Sequence, residues 1–486
     1  MASLIDALTA SGGAESPGFL NDLIKQLWPN MSVAIADIVK ANVEGLFESM
    51  LPSILKQLKF VKMNLGPVPI HVSNVDVHQT ENNGIKLDLD LDWDGKSDIE
   101  LDGPGIPKIG IEHVKLRGRF SILLCPLMDR FPLAGAAQVA FVNVPHLDLD
   151  FTDAAHIANL GIIDRAVRRT ILGIMSSMIV LPNRFLVKLD TANDYFKTYQ
   201  HPLGVLRLTV ESGENFGEEK GGKSFLKRLV HDVPDCFVKV KLSAEPEWRT
   251  QTITNHRHPE WNETRDMIVS DYDQIVETDV QDADTATGDD DIGVGTISVK
   301  NLLLQGGRHE LALTHKDQPT EGKLTIRGEF HQFVPDAASF TSGEAGSDQI
   351  VGLMSVLIAS VRNLSGPRQD LRPLVRVQWG DAPALQTGMK TDTPGFDVEN
   401  PGFDQTFKIP IQAGMIPGPP VKILLINGAK PKAETEEDRE RLLGSVEVSL
   451  DDVLGAPDLA VQKDFDAGNG ATIRAGVWLR GMKLAE

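Results

Sequence analysis

Cysteine is scarce in this sequence: Cys125 and Cys236 are the only two among 486 residues, and they lie far apart. A disulfide framework is therefore not expected, as is typical of a chain kept in a reducing cytosol. Long apolar runs are also missing. The longest, Ile171 to Leu181, falls short of the ~20 residues that a spanning helix needs. The opening stretch MASLIDALTASGGAESPG has neither the basic start nor the apolar centre of a signal peptide. We expect a cytoplasmic chain without a transmembrane segment.

Basic residues are outnumbered, with 48 Lys and Arg against 68 Asp and Glu, so the formal charge is -20. Nucleic acid is not expected as a partner, because its phosphate backbone selects basic surfaces. An anionic membrane would repel the chain as a whole, so membrane binding would need a local basic patch or bound cations. The 41% of hydrophobic residues is enough for packed cores, and the length corresponds to roughly three domains.

Residues 18–190 predict a mixed section of helices and strands. Apolar residues recur every three or four positions from residue 18 to about 60, as in an amphipathic helix that Pro29 would kink or break. From about 60 to 151 the period changes to two, which indicates strands. A second helix then runs to about residue 179, and a short polar linker follows.

Helical periodicity nearly disappears after residue 203, and residues 203–334 and 350–486 predict two copies of one all-β unit. HPEWNET in the first section is echoed by NPGFDQT in the second, and DDIGVGTISVKNLL is echoed by RLLGSVEVSLDDVL. Short strands with regular turn signals are typical of β-sandwiches. The predicted fold class is therefore α+β, and residues 336–349 have the composition of a flexible linker.

An acidic loop is the strongest candidate for chemistry. DADTATGDDDIG, from Asp282 to Gly293, includes Asp284 and Asp290, and Asp235 lies in the earlier stretch VPDCFV. Calcium takes about six to eight oxygen ligands, and one loop rarely supplies so many. Two loops at the same end of a sandwich would meet that need. The alternative is a solvated acidic loop without a metal.

A second acidic stretch, KLDLDLDWDGKSDIEL, matches the first half of a helix–loop–helix calcium loop. The bidentate glutamate that such a loop requires is missing, because Leu101 stands at position twelve. Its period of two instead predicts a strand. Asp88, Asp90 and Asp92 would then form the solvated face. The apolar face would consist of Leu87, Leu89, Leu91 and Trp93.

Two further motifs resemble enzyme signatures. GEEKGGKS, residues 217–224, matches the nucleotide-binding P-loop, but no parallel α/β pattern surrounds it. Nucleotide binding therefore stays a weak alternative, and three basic residues there are candidates for lipid phosphate instead: Lys223, Lys227 and Arg228. RHELALTH is similar to the zinc motif HExxH, but His315 follows His309 at i+6 and the stretch predicts a strand. We expect no enzyme.

Residues 203–334 resemble a C2 domain, on the opening GVLRLTV, the strand PDCFVKV, the turn HPEWNE and the loop pattern DxDxxxxxDDIG. In that family, aspartates of two top loops bind calcium, which bridges to anionic phospholipid heads. The resemblance implies four of the usual five ligands here: Asp235, Asp282, Asp284 and Asp290. Leu229 stands at the fifth position, so a substitute would have to come from Asp232, Glu218 or Glu219.

The second copy resembles a C2 domain without the calcium ligands. Arg372 stands where Asp235 stands in the first copy, and Asn427 and Ala429 replace the aspartates at the strand end. A positive charge at a ligand position repels a divalent cation directly. We expect no calcium in residues 350–486, which would bind lipid or protein without calcium or serve a structural role.

Residues 18–190 resemble an SMP domain, the lipid-carrying module of extended synaptotagmins and tricalbins, on FLNDLIKQLWPNMS, GIKLDLDLDW and VLPNRF. The resemblance implies a TULIP-like elongated tube whose apolar seam holds glycerolipid chains. It also implies a homodimer through the SMP tip and lipid transport at endoplasmic reticulum–plasma membrane contact sites. Family members usually begin with a membrane-inserted hairpin, and we expect no such hairpin in these 486 residues. The seam candidates are Leu87, Leu89, Leu91, Trp93, Val139 and Phe141.

Two functions remain open on the sequence. One is a lipid-transfer protein that docks to anionic membranes through calcium bound by the first C2 section. The other is a calcium-responsive tether that carries no lipid because the apolar faces of its first section pack against each other.

Overall fold

The computed structural model describes residues 13–14, 17–50, 58–80, 83–104, 106–152, 160–190, 195–216, 233–283, 289–341, 349–392, 397–429 and 439–485. The chain forms two compact units. The first comprises residues 1–193, 209–263 and 269–327, and the second comprises residues 194–208, 264–268 and 328–486.

The N-terminal section of the first unit is a mainly antiparallel sheet with two long helices. The helices are α1 (Gly18–Met50) and α2 (Leu160–Ile179). The strands are β1 (Gly13–Ala14), β2 (Lys59–Asn64), β3 (His71–Thr80), β4 (Gly84–Gly103), β5 (Ile106–Leu124), β6 (Ala136–Phe141), β7 (His146–Thr152) and β8 (Phe185–Lys188). Their order is β1-β3-β4-β5-β6-β8, with β2 on β4 and β7 on β5.

Helix α1 continues through Pro29, so the predicted alternative of a break there is wrong. Proline removes one helical hydrogen bond, but the neighbouring Trp28 is buried and packs against Trp93 of β4, with ring centroids 5.9 Å apart. Burial of two large aromatic side chains outweighs the lost bond. The second helix ends at Ile179, close to the predicted end.

The first β-rich section contains eight strands and one short helix. They are β9 (Gly204–Glu214), β10 (Cys236–Leu242), β11 (Trp248–Arg249), β12 (Glu260–Val269), β13 (Ile275–Asp282), β14 (Asp290–Ser298), α3 (Val299–Leu304), β15 (Arg308–His315) and β16 (Gln318–Val334). One layer runs β11-β10-β13-β14-β15-β16, while β9 pairs with β12 and β16. RHELALTH is strand β15, as predicted.

The second β-rich section repeats this pattern. Its elements are β17 (Ile350–Arg362), β18 (Pro373–Gln378), β19 (Leu385–Gln386), β20 (Gly402–Gln412), β21 (Val421–Asn427), β22 (Arg441–Val448), α4 (Leu450–Leu454), β23 (Ala460–Gly468) and β24 (Ala471–Leu484). One layer runs β19-β18-β21-β22 and the other β23-β24-β17-β20. A large apolar cluster fills the space between the layers.

The segment before β9 is not the polar linker that the sequence predicts. Within the second unit, Phe196 is buried against Trp478, and the Tyr199 ring lies 5.0 Å from the Trp478 ring. The Tyr199 hydroxyl and Ser355 Oγ are 2.9 Å apart. The aromatic residues of YFKTYQH therefore form part of the packing on the second β-rich section.

Candidate functional site

Three of the predicted calcium ligands lie at one edge of the first sandwich. Cys236 of β10 pairs with Asp282 of β13, and Asp282 pairs with Asp290 of β14. Asp235 immediately precedes Cys236. Three adjacent strands therefore each have an aspartate at or next to one end, and these three ends lie side by side in the sheet.

Backbone amides hold two of these carboxylates in place. The Asp235 N–H donates to Asp282 Oδ1 at 2.7 Å, and the Asn255 N–H donates to Asp235 Oδ1 at 2.8 Å. In the reverse direction, the Ala283 N–H donates to the Asp235 carbonyl at 2.9 Å. Fixed carboxylates lose less conformational freedom when a ligand binds, which favours binding.

The buried Cys236 thiol lies beside this negative charge. Burial, reinforced by the neighbouring Asp282 and Asp235 carboxylates, raises the pKa of Cys236 to about 12. A thiol with this pKa stays protonated at neutral pH. Calcium prefers oxygen ligands, so the candidate donors here are the carboxylates and not the buried Cys236 thiol.

The remaining predicted site residues lie outside the described residues: Asp284, Asp232, Lys223, Lys227 and Arg228, together with the P-loop-like stretch. Among the residues that the structure describes, no three His, Cys, Asp or Glu side chains are grouped closely enough to hold a metal ion. The described residues therefore contribute Asp235 and Asp282 to the candidate site, and Asp290 pairs with Asp282 on the neighbouring strand. Sequence reasoning did not single out Asp291, which lies 3.1 Å from His315 Nδ1.

The corresponding edge of the second sandwich keeps the backbone geometry but changes the side chains. The Arg372 N–H donates to Asn427 Oδ1 at 2.6 Å, and the Gly428 N–H donates to the Arg372 carbonyl at 2.8 Å. Asn427 pairs with Pro373 and with Arg441. Arg372, Asn427 and Arg441 therefore occupy the places of Asp235, Asp282 and Asp290.

Arg441 is a position that sequence reasoning missed. Residues 428–440 are longer than residues 283–289 of the first copy, but the echo of DDIGVG by RLLGSV already aligns Arg441 with Asp290, a signal that could have identified this position. The Arg372 guanidinium donates to the carbonyls of Asp370 and Gln369 at 3.3 Å each. Two cations and an amide thus replace three carboxylates at this edge.

The six predicted seam residues share one face of the N-terminal sheet. Cross-strand partners point to the same side, and Leu87 and Val139 both pair with Ile122. In the next row, Leu89 and Phe141 both pair with Phe120. Leu91 and Trp93 continue the face along β4 by period two. Leu89, Trp93 and Phe141 are buried, whereas Leu87, Leu91 and Val139 are only partly covered.

The opposite face carries the aspartates, as predicted, but one of them is not solvated. Asp90 and Asp92 pair with Arg119 and Arg117, each at 3.1 Å. Asp88 is only 2% exposed, because Lys86 Nζ lies 2.9 Å from it and 2.5 Å from Asp271 of the first sandwich. The prediction of a fully solvated face is therefore wrong at Asp88.

Lys86 and Asp271 favour each other's charged forms in this cluster. Burial by itself would lower the pKa of Lys86, but the adjacent Asp271 and Asp88 carboxylates outweigh it and raise that pKa. Burial would raise the pKa of Asp271, yet the Lys86 ammonium lowers it overall.

Nearby, a cavity of about 440 Å³ is lined by Gly118, Arg119, Asn143, Val144, Asp273, Ile275, Ser298 and Lys300.

Comparisons with known proteins agree with this architecture. Residues 13–190 match the synaptotagmin-like mitochondrial-lipid-binding domain, and residues 204–313 and 352–464 each match the C2 domain. Human extended synaptotagmin-2 is 25% identical over 97% of this chain and 50% of its own length. Synaptotagmin-5 of Arabidopsis thaliana is 29% identical over 52% of this chain and 45% of its own length. The chain thus spans about half the length of these curated relatives.

A solved structure of the SMP, C2A and C2B domains of extended synaptotagmin 2 has a similar fold, with a TM-score of 0.65 and 22% identity. The aligned region covers 97% of this chain and 100% of the chain in that structure. Among the described residues, no helix is both long and apolar enough to cross a bilayer. The chain therefore contains a lipid-binding SMP domain followed by two C2 domains and is homologous to the extended synaptotagmins.

Proposed function

We propose that this chain transports glycerophospholipids between apposed membranes and docks to anionic bilayers through calcium bound by its first C2 domain. Residues 18–190 would hold the lipid, residues 203–334 would bind calcium, and residues 350–486 would act without calcium. Contact sites between the endoplasmic reticulum and the plasma membrane are the proposed location. The observation that carries this proposal is the shared apolar sheet face on which Leu87, Leu91 and Val139 remain partly uncovered.

Burial of acyl chains supplies the free energy for this role. Each CH₂ removed from water contributes about 0.8 kcal/mol, so a chain of some sixteen carbons gains roughly 10 kcal/mol before other costs. Helix α1 adds an exposed apolar stripe at helical spacing, formed by Phe19, Leu23 and Leu27. Lipid or a second SMP domain could cover this stripe, and we also propose a homodimer through this section.

Calcium would link an acidic protein to an acidic membrane. The formal charge of -20 opposes contact with anionic lipid, and bound calcium would neutralise Asp235, Asp282 and Asp290 together with Asp284. The oriented carboxylates of Asp235 and Asp282 support this assignment. In the second C2 domain, Arg372 and Arg441 oppose a divalent cation at the same positions.

Native mass spectrometry of the purified protein, joined to transfer of a fluorescent lipid between liposomes, tests the carrier role. We expect a bound glycerophospholipid and calcium-stimulated transfer. A protein that contains no lipid and transfers none would contradict the proposal.

A calcium-responsive tether without lipid transport is the second candidate. It is favoured by the close packing of Leu89, Trp93 and Phe141, which closes part of the same sheet face. A tether would cluster liposomes in calcium but carry no lipid through purification. Nucleotide binding at residues 217–224 is a weaker alternative. A direct measurement of ATP binding tests it, and failure to bind ATP would exclude it.

A further inference from the structure

The connection between β5 and β6 projects large apolar side chains into solvent. Phe131 is 88% exposed and Leu133 is 51% exposed. The connection is nevertheless an ordered hairpin, because Leu127 pairs with Ala134 and the Met128 N–H donates to the Leu133 carbonyl at 2.7 Å. The apolar side chains are therefore held outward by a defined backbone.

Backbone strain at Leu133 also indicates that this hairpin is a contact surface. Its φ is 72°, in the left-handed region that a leucine rarely adopts. The Leu133 N–H donates to the Arg130 carbonyl at 2.8 Å, which helps to hold this conformation. Strained residues with exposed apolar side chains cluster at sites that contact other molecules.

The end of β8 extends the same apolar surface. Val187 and Leu189 are 40% and 42% exposed, and the Leu189 N–H donates to the Gly135 carbonyl at 3.1 Å, directly beside the hairpin. We call this surface the apolar tip. It consists of Phe131, Leu133, Val187 and Leu189.

Charged side chains of both signs lie at the apolar tip, so this surface has no net charge although the chain as a whole is acidic. Arg130 is exposed and donates to Asp190 Oδ2 at 2.8 Å, Asp129 beside it is exposed, and Lys188 is exposed between Val187 and Leu189. Aromatic and aliphatic side chains mixed with cations are typical of surfaces that enter the interfacial layer of a bilayer.

We propose that the apolar tip inserts into the headgroup region of a phospholipid bilayer and brings this end of the SMP sheet to the membrane. The occupant is the bilayer itself, and the contact requires no calcium. The inference goes beyond the calcium-dependent docking proposed above, and it can hold whether or not the domain carries lipid.

A single fluorescent label tests this contact in the full chain. Cys125 and Cys236 are both buried, and burial raises the pKa of each thiol, so a maleimide–NBD probe will label Phe131→Cys selectively. The control is Val61→Cys on β2, where the replaced side chain is 52% exposed. We add vesicles of phosphatidylcholine and phosphatidylserine in the presence of EGTA.

We expect severalfold brighter, blue-shifted emission at position 131 and quenching by spin-labelled lipids, with little change at position 61. Equal responses at both positions, or no response at 131, would overturn the inference. Emission at 131 that rises with protein concentration in the absence of vesicles would also overturn it, because the occupant would then be a second copy.

A charge substitution separates this contact from lipid carriage. Phe131→Asp should slow lipid transfer about tenfold, because an interfacial aromatic contributes roughly this factor to membrane contact, whereas Val61→Asp should not. The lipid bound during purification and calcium-dependent vesicle binding should be unchanged. If wild-type protein carries no lipid, the transport proposal fails while the NBD result still decides the membrane contact. Wild-type transfer by Phe131→Asp would contradict the role of the tip.

Discussion

The Arg372 N–H donates to Asn427 Oδ1 at 2.6 Å in the second C2 domain, and the Asp235 N–H donates to Asp282 Oδ1 at 2.7 Å in the first. The two bonds join equivalent strand ends, and each is accompanied by a second bond in the reverse direction. An amide oxygen can accept this bond in place of a carboxylate oxygen. Structural support at these strand ends is therefore separable from the charge that we propose binds calcium.

This relationship predicts the effect of Asp282→Asn in the first C2 domain. The variant should fold normally, because Asn retains the acceptor as Asn427 does, but it should lose calcium-stimulated vesicle binding. Liposome sedimentation with and without calcium measures the effect, and thermal unfolding checks the fold. Glu277→Gln removes the same charge from an exposed position on β13 and should bind as wild type. An undiminished calcium response in Asp282→Asn would remove this residue from the site.

The second C2 domain should contribute no calcium binding. The double variant Arg372→Gln with Arg441→Gln should leave the calcium titration of the whole chain unchanged, because the three equivalent positions would still contain no carboxylate. Isothermal titration calorimetry measures this. Residual calcium binding in an Asp282→Asn chain that disappears when Asn427 is replaced by alanine would place a site in the second domain.

Placing a charge on the partly uncovered sheet face should reduce bound lipid. Leu91→Lys is expected to lower the amount of co-purified lipid by roughly tenfold, because an ammonium group against acyl chains is left without water or a partner. Native mass spectrometry gives the bound fraction. Asp92→Asn, on the opposite face, serves as the control. Equal lipid content in Leu91→Lys would assign the bound lipid, if any, to another surface.

Lys86→Met should destabilise the first unit strongly. It leaves the buried Asp88 and Asp271 carboxylates without their shared cation, and breaking a buried pair in this way costs about 3–5 kcal/mol. Urea unfolding measures the change in the free energy of unfolding. Lys62→Met removes the partner of Asp98 at an exposed site and should have no measurable effect. A stability near wild type for Lys86→Met would mean that the carboxylates are solvated.

His201 should make the second unit sensitive to acid. Burial, reinforced by the Arg480 charge, lowers the pKa of His201 from 6.5 to about 3. Protons therefore bind more readily to the unfolded chain, and stability should fall as the pH drops from about 6.5 towards 3. His201→Gln should flatten this part of the profile in urea unfolding at several pH values, while the exposed His256→Gln should not. A parallel profile for wild type and His201→Gln would show that another group is responsible.

The sequence by itself determined the local conformation and the order of the sections. The period of two from Leu87 to Trp93 predicted a strand with one apolar face, and register confirms that face, because neighbouring side chains on a strand point to opposite sides. The repeated motifs predicted two related sandwiches, since both copies have the same succession of strands. Asp235, Asp282 and Asp290 could be proposed as calcium ligands because each adjoins a recognisable strand.

The tertiary structure decided what covers each face. Asp88 is buried because Asp271, far away in sequence, lies over Lys86, and Phe196 is buried because Trp478 lies beside it. Strand register pairs Arg441 with Asn427 as it pairs Asp290 with Asp282, which confirms the alignment of the two motifs despite the different loop lengths. Periodicity reports the direction in which a side chain points, whereas its neighbours depend on contacts between distant segments. For the same reason, the outward Phe131 could be recognised only once the hairpin was seen to be uncovered.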